Sequence, residues 1–496
     1  MNRRGQHHYV RVCVTGTRVP VYTCYGETLF VGSFSFCTLF FNFCLFCTST
    51  QQQRCTTYNN TPPILYRATE QGSDRETVRT TVGHLLKSRV RVSVVFHGSM
   101  HATFARQAIA HSRSTLGTQY QHVPKVELHR HLEGSVRLTT VLDEAIKHNI
   151  SLPHGPLGEM TPASQLTLEG IRPHIQSLTP FPNLETLLNI FDYTQSTFHN
   201  IDVFHRIAKE AVLDAHEEGI RCLELRYAPC FASMPPNQHA FEDVLDAIED
   251  GIDDAQLMLG GPDSIGVGLL CIGVGAMGTE AMDRTTDFYL QHQDKFVGFD
   301  MAGAETNVLE HLKCFQRVKD AGGKITCHAS EDLDIGVPEN ALNAVKHLHA
   351  ERIGHGIQII SDRQVMDVMR DRHIMLEVSV SSNWLTAGVA SIEAHPARNL
   401  WTHGIPICPN TDDPGIMGID LNHEWHLWRH TLGFSENDMT AMTLLALEKS
   451  FLPFDARERL HNMYFSDLAK QQDKEKNNTF AASVAWANAH HQSQIV

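Results

Sequence analysis

KITCHASEDLDIGVPENALNAVKHLHAERIGHGI, running from Lys324 to Ile357, contains one complete strand–helix–strand unit. Lys324–His328 is a short run of strand length. Pro338–Ala350 places apolar residues every three to four positions and is rich in Ala, Leu and charge, which predicts a helix. Arg352–Ile357 is strand-like again. Strands that alternate with helices imply a parallel sheet.

Working outward, the same rhythm fills residues 123–470. Apolar runs of strand length occur at Val126–His131, Cys222–Tyr227, Ile265–Ile272, Phe296–Met301, Lys324–His328, Arg352–Ile357, Ile374–Val380 and Ile405–Cys408. Helical periodicity lies between them at Ile201–Glu218, Phe241–Leu259, Glu305–Gly322, Pro338–Ala350 and Asp362–Arg372. Gly322 and Gly323 supply a helix stop. Eight such units in about 350 residues predict an α/β fold, a (β/α)8 TIM barrel with extra helices. A doubly wound sheet is the alternative, but no Gly-x-Gly-x-x-Gly opens the first unit.

The chain has 496 residues, 42% of them hydrophobic, 20% charged and 8% aromatic. That is globular composition and excludes wholesale disorder or a polytopic membrane protein. Residues 1–122 carry 13 Lys and Arg against 4 Asp and Glu, whereas the remainder carries 28 against 52. So acidic a body repels phosphate backbones and argues against nucleic acid as a partner. Cys222, Cys230, Cys271, Cys314, Cys327 and Cys408 stand singly in the body, without a CxxC pair, so the body reads as reduced, intracellular and cytoplasmic.

Residues 1–122 read as a separate, poorly structured extension. Thr28–Cys47 is uncharged and holds seven Phe, with Arg3, Arg4, Arg11 and Arg18 before it. A signal or membrane anchor, an organellar transit region and a non-folding extension all stay open, so membrane contact is expected only if residues 28–47 are a genuine anchor. Residues 471–496 read as a polar C-terminal tail.

Barrel chemistry sits at the C-terminal ends of strands. The first run ends His129-Arg130-His131, the fifth His328-Ala329-Ser330-Glu331, the sixth Gly354-His355-Gly356, and the eighth Asn410-Thr411-Asp412-Asp413-Pro414. On a strand, residues two apart share a face, so His129 and His131 can grip one ion. His347 and His349 sit in a predicted helix, where that spacing faces them apart, and read as surface. His423, His426 and His430 share a helical face beside Trp425 and Trp428, which points to packing. Taken alone, His355 reads as a buried histidine and Asp412-Asp413 as a turn or cap. As a set, His129, His131, His328 and Asp412 offer three nitrogens and an oxygen, suited to Zn²⁺ with an open position for water. His355 could orient or deprotonate that water, and Glu331 could hand a proton to substrate. The set reads as a metal-assisted hydrolase.

At these residues the sequence resembles the adenosine deaminase family of metal-dependent purine deaminases. The resemblance rests on Lys125–Gly134, His328–Glu331, Arg352–Gly356 and Asn410–Pro414, and extends from Pro124 to Pro453 in the family's order and spacing. It implies a (β/α)8 barrel that hydrolyses adenosine and 2′-deoxyadenosine to inosine, deoxyinosine and ammonia, with one zinc per subunit. It further implies that His129, His131, His328 and Asp412 bind zinc, Glu331 protonates purine N1 and His355 activates water. By the same resemblance His131, Glu133, Gly303 and Asp413 meet substrate, Asp413 at N7 and the Gly303 amide at N3. Two positions depart from the family pattern: Ser330 replaces the usual Gly, and Glu133 stands where adenosine-specific members usually have Asp. Glu at that point also occurs in relatives acting on free adenine; N6-substituted AMP is a further alternative substrate, and Ser330 leaves a catalytically weak, purine-binding relative as a third alternative. Residues 410–424 look more like bacterial-type adenosine deaminases. The Pro-Cys-x-x-Cys of nucleic-acid-editing zinc deaminases is absent from the sequence.

Overall fold

The structure is a computed structural model that describes residues 115–470, except 178, 182–183, 235–236, 304 and 306–307, and the backbone of three strands nearer the N-terminus. The chain divides into two units, residues 1–103 and 104–496. In the first unit Val10–Val14 and Ser33–Phe36 each pair antiparallel with Leu39–Cys47. Two of those strands fall within the uncharged stretch 28–47. The rest of the predicted extension up to residue 114 and the predicted tail 471–496 lie outside the described residues. Among the described residues no helix is long and apolar enough to cross a membrane.

In the second unit the eight predicted strands all form: β1 Lys125–His131, β2 Ile220–Tyr227, β3 Gly266–Val274, β4 Gly298–Ala302, β5 Thr326–Ala329, β6 Arg352–His355, β7 Met375–Val378 and β8 Ile407–Pro409. β1 to β4 pair in parallel in chain order, and so do β5 to β8. Parallel bridges Phe299–Ile325 and Arg130–Asp412 join the two sets at both seams and close the ring. Helices such as Asp202–Glu217 and Phe241–Leu259 cover it, burying Ile207, Ala211, Val244 and Ile248 in the layer between. Near-continuous apolar strands are expected in a sheet covered on both faces.

The extra helices enter mainly between β1 and β2. Leu138–His148, Leu168–Ile175 and Leu184–Gln195 precede Asp202–Glu217 there.

The element ends differ from expectation where the site is built. β6 stops at His355 rather than Ile357, because His355 (φ 59°) and Gly356 (φ 67°) are left-handed and leave the ladder. β7 stops at Val378, because Val380–Leu385 starts a short helix. The helix expected over Glu305–Gly322 begins later, with a 3₁₀ turn at Val308–His311 followed by Leu312–Asp320. Glu305 is thereby free of a helix, and its carboxylate turns to the loop after β5.

Candidate metal and catalytic site

His129 and His131 alternate along β1 onto one face, and β5 and β8 bring His328 and Asp412 to the same mouth. One ligand atom from each of these four residues lies within 4.8 Å of every other. Asp412 Oδ1 sits 3.4 Å from His129 Nε2 and 3.2 Å from His131 Nε2, and the His131 and His328 Nε2 atoms are 3.2 Å apart. His129 Nε2 is buried with no hydrogen-bond partner among the described residues. A buried ring nitrogen aimed at two imidazoles and a carboxylate is costly unless something satisfies it. The donor set fits a zinc-type ion held by three nitrogens and one oxygen.

The far sides of these ligands are also fixed. His129 Nδ1 meets Glu377 Oε2 at 2.7 Å, and His328 Nδ1 meets Asp300 Oδ2 at 3.1 Å. Each contact turns the other ring nitrogen toward the site, the arrangement metal-binding histidines need. Arg226 then bridges the two acids, at 2.8 Å from Asp300 and 2.7 Å from Glu377, and Arg352 reaches Glu377 at 2.6 Å. Burial opposes ionisation of Glu377, but Arg226 and Arg352 overcome it and hold the carboxyl well below its ordinary range.

Beside the metal set, His355 Nε2 lies 3.4 Å from Glu331 Oε2 and 3.7 Å from Asp412 Oδ2. Burial, then the neighbouring Asp412, Glu305 and Asp332 carboxylates, push the Glu331 carboxyl well above its ordinary range. Both effects favour the protonated carboxyl. Burial holds His355 well below the usual imidazole value, so it is neutral. Asp413 is raised well above its ordinary range by burial and by Asp412, Glu331 and Glu133, and its Oδ1 has no hydrogen-bond partner among the described residues. A protonated Asp413 can donate, which is what a ring nitrogen acceptor requires. Glu133 is buried and pushed up to about 7 by that burial, its Oε1 accepting the Ala228 amide at 2.9 Å.

Two glycines make room at the mouth. A Cβ on Gly134 would fall 1.7 Å from Asp413 Oδ1, so only glycine passes there. Gly303 has φ 93°, a left-handed conformation at the end of β4 that aims its backbone away from the strand.

Ser330, His355 and Asp412 also hold positive φ, at 56°, 59° and 65°. Strain of this kind, about 1–3 kcal/mol per residue, clusters where a site overdetermines the backbone. At Ser330 the hydroxyl compensates: Oγ donates to the Val337 carbonyl at 2.8 Å and accepts from the Ala341 amide at 3.1 Å. Glu305 holds the same loop. Its carboxylate accepts the amides of Ser330, Glu331 and Asp332 at 3.0, 2.5 and 3.2 Å, and Asn340 Nδ2 at 2.6 Å.

The structure thus brings together all the predicted site residues whose mutual contacts it records: the four ligands, Glu331 and His355. The histidines set aside stay outside. His349 meets Gln316 on the surface, and His430 packs on Tyr120 and His426. Among the described residues, neither candidate metal group includes His423, His426 or His430. Asp300, Glu377, Arg226, Glu305 and Asn383 were missed. A charge inside an otherwise apolar strand, as in Gly298–Ala302 and Met375–Val378, was the available signal for Asp300 and Glu377.

A family model described as adenosine deaminase matches residues 124–464. An adenosine deaminase of Salmonella schwarzengrund (strain CVM19633) is 33% identical over 342 residues, covering 68% of this chain and 96% of that protein. The chain belongs to the adenosine deaminase family. It is a hydrolase of that family, and its barrel recurs in solved structures. An adenine deaminase from Arthrobacter aurescens superposes with TM-score 0.61 at 20% identity, over 71% of this chain and 99% of its own. An amidohydrolase from Burkholderia ambifaria with bound Zn superposes with TM-score 0.60 at 21% identity, over 77% and 96%.

Proposed function

We propose that this family member hydrolyses adenosine and 2′-deoxyadenosine to inosine and deoxyinosine, releasing ammonia, with zinc held by His129, His131, His328 and Asp412. The observation that carries the reading is the pair of overlapping clusters sharing Asp412: the four metal-ligating groups, and Glu331 with His355 beside them. The zinc-bound amidohydrolase with the same barrel and the adenosine deaminases alike over this whole region support it. A zinc ion in that set would act as a Lewis acid and lower the pKa of a water toward neutrality.

This chain's own groups supply the rest. Protonated Glu331 gives its proton to purine N1, which makes C6 electrophilic and neutralises the charge that develops there. The attacking water returns a proton to the Glu331 carboxylate, and the hydroxyl proton of the C6 adduct passes to the amino group, which leaves as ammonia as the C6 carbonyl forms. His355, between Glu331 and Asp412, holds the attacking water over C6. Asp413 donates to N7 and the Gly303 amide to N3, while Glu133 and His131 face the rest of the substrate. Burial of Glu331, Asp413 and Glu133 keeps the pocket dry, so the proton on Glu331 is kept for the substrate.

A second reading, adenine as substrate, is favoured by Glu133. The longer side chain occupies the niche with one oxygen bound to Ala228. Ammonia release is followed from adenosine, 2′-deoxyadenosine, adenine and N6-methyl-AMP, with and without chelator. Chelator-sensitive turnover of the nucleosides is expected. Turnover of adenine or N6-methyl-AMP alone would move the substrate, and turnover insensitive to chelator would remove the metal.

A further inference from the structure

His355 is backed by a chain of buried groups that ends on a backbone amide. The Ala397 N–H donates to His395 Nδ1 at 3.1 Å. His395 Nε2 lies 3.2 Å from Asn383 Oδ1, and Asn383 Nδ2 lies 3.1 Å from His355 Nδ1. His355, Asn383 and His395 are all buried, at 1%, 0% and 4% exposure. Hydrogens on imidazoles and amides must be assigned from such networks, and here a backbone donor anchors one end.

A backbone N–H only donates, so His395 Nδ1 must accept and its proton must sit on Nε2. That N–H needs an acceptor, which fixes Asn383 with Oδ1 toward His395 and Nδ2 toward His355. The flipped amide would put a donor against His395 Nε2 and demand an imidazole with no proton at all. Asn383 Nδ2 therefore donates to His355 Nδ1.

We propose that Asn383 and His395 are positioning residues that lock His355 in the Nε2–H tautomer, so that it meets the attacking water as a hydrogen-bond donor. The nitrogen facing Glu331 and Asp412 carries a hydrogen, and the lone pair a base would need points away, at Asn383. The assignment of the attacking water to His355 rests on the proposed deaminase reading; the tautomer itself does not.

The test uses the zinc-loaded full chain labelled with ¹⁵N-histidine. Long-range ¹H–¹⁵N correlation separates bare from protonated ring nitrogens, and the His355 signals are picked out by their loss in His355→Gln. The expected spectrum shows bare Nδ1 and protonated Nε2. Asn383→Asp is nearly isosteric but presents an oxygen to Nδ1, so it should reverse the two signals. In that variant kcat should fall roughly 10²-fold or more, toward the roughly 10⁴-fold cost known for a catalytic imidazole in the wrong tautomer, with KM within a few-fold and zinc content unchanged. A merely structural role would lower stability without exchanging the nitrogens. His395→Ala, which only unlocks the amide, should give a mixture of tautomers and a smaller loss, and it serves if Asn383→Asp does not fold. A wild-type Nδ1–H signal overturns the inference, as does an unchanged tautomer in a folded Asn383→Asp. Failure of every purine to react would sink the deaminase reading and leave the spectrum to decide this one.

Discussion

A carboxyl in a dry pocket among other carboxylates keeps its proton, and Glu331 is placed so, with Asp412, Glu305 and Asp332 around it. Glu331→Gln keeps the shape and an N–H toward N1 but has no proton to transfer. The expected result is unchanged zinc content and a loss of about 10²–10⁴ in kcat, measured by ammonia release beside metal analysis. Near-normal turnover would take Glu331 out of the mechanism. One residue earlier, Ser330 tests how a side chain tolerates a left-handed backbone. Its φ of 56° is the strain a side chain meets in the left-handed region, and its two Oγ hydrogen bonds offset it. Ser330→Gly relieves about 1–2 kcal/mol of backbone strain and loses two bonds worth about 1 kcal/mol each, a near balance. Ser330→Ala keeps the strain and strands the Val337 carbonyl and Ala341 amide, so it should be less stable than Ser330→Gly by about 1–2 kcal/mol in thermal unfolding. The reverse order would mean that the left-handed backbone at this position carries no such strain. The sequence showed the substitution and its backbone cost; the compensating partners, 7 and 11 residues further on, depend on a loop closure that no local pattern announces.

Among the elements, strands were legible and their ends were not. The eight runs read correctly as buried strands although not all are apolar throughout: Gly266–Val274 carries no charge, whereas Lys125–His131 places Val126 and Leu128 among Lys125, Glu127 and His129. The ends shifted where the backbone leaves the ladder to carry chemistry: β6 at left-handed His355, and β7 at the short helix bearing Asn383. Glu305 shows the same limit. Its neighbourhood reads as helix by periodicity, yet its carboxylate is spent on three successive amides of the β5 loop. Tertiary hydrogen bonds outweigh a propensity worth a few tenths of a kcal/mol per residue. Glu305→Gln would turn an N–H toward one or more of those donors and loosen the loop under Glu331. A fall of tenfold or more in kcat is expected, with zinc retained and a KM change of a few-fold at most. Because Ser330 holds the same loop, Glu305→Gln combined with Ser330→Gly should depart from additivity in kcat. Strictly additive losses would show that the two residues act on separate parts.

At the scale of the whole molecule, the barrel interior is a ladder of buried charges. Glu224 meets Arg352 at 2.5 Å, Arg352 meets Glu377, Arg226 bridges Glu377 and Asp300, and the two acids end on His129 and His328. The four candidate metal ligands come from β1, β5 and the loop after β8, but through this ladder β2, β4, β6 and β7 also fix their orientation. Such a network is expensive to break, because removing one partner leaves uncompensated buried charge. Glu377→Gln should therefore cost about 3–5 kcal/mol of stability, from the unpaired Arg226 and Arg352, and about 10–100-fold in zinc affinity, from the freed His129 ring. The pH dependence has a fixed sign. Glu377 and Asp300 have folded pKa values below their ordinary ones, so their contribution is complete above about pH 4–5 and is lost as pH falls through the folded values. Denaturant unfolding of the metal-free chain should thus show stability falling with acid below about pH 4–5, and Glu377→Gln should flatten that fall. If the variant keeps the full acid slope, the ladder does not set it. If it also binds zinc as tightly as the parent, the orientation of His129 does not depend on Glu377, and the strand ends alone, not the charge ladder of the closed ring, build the metal site.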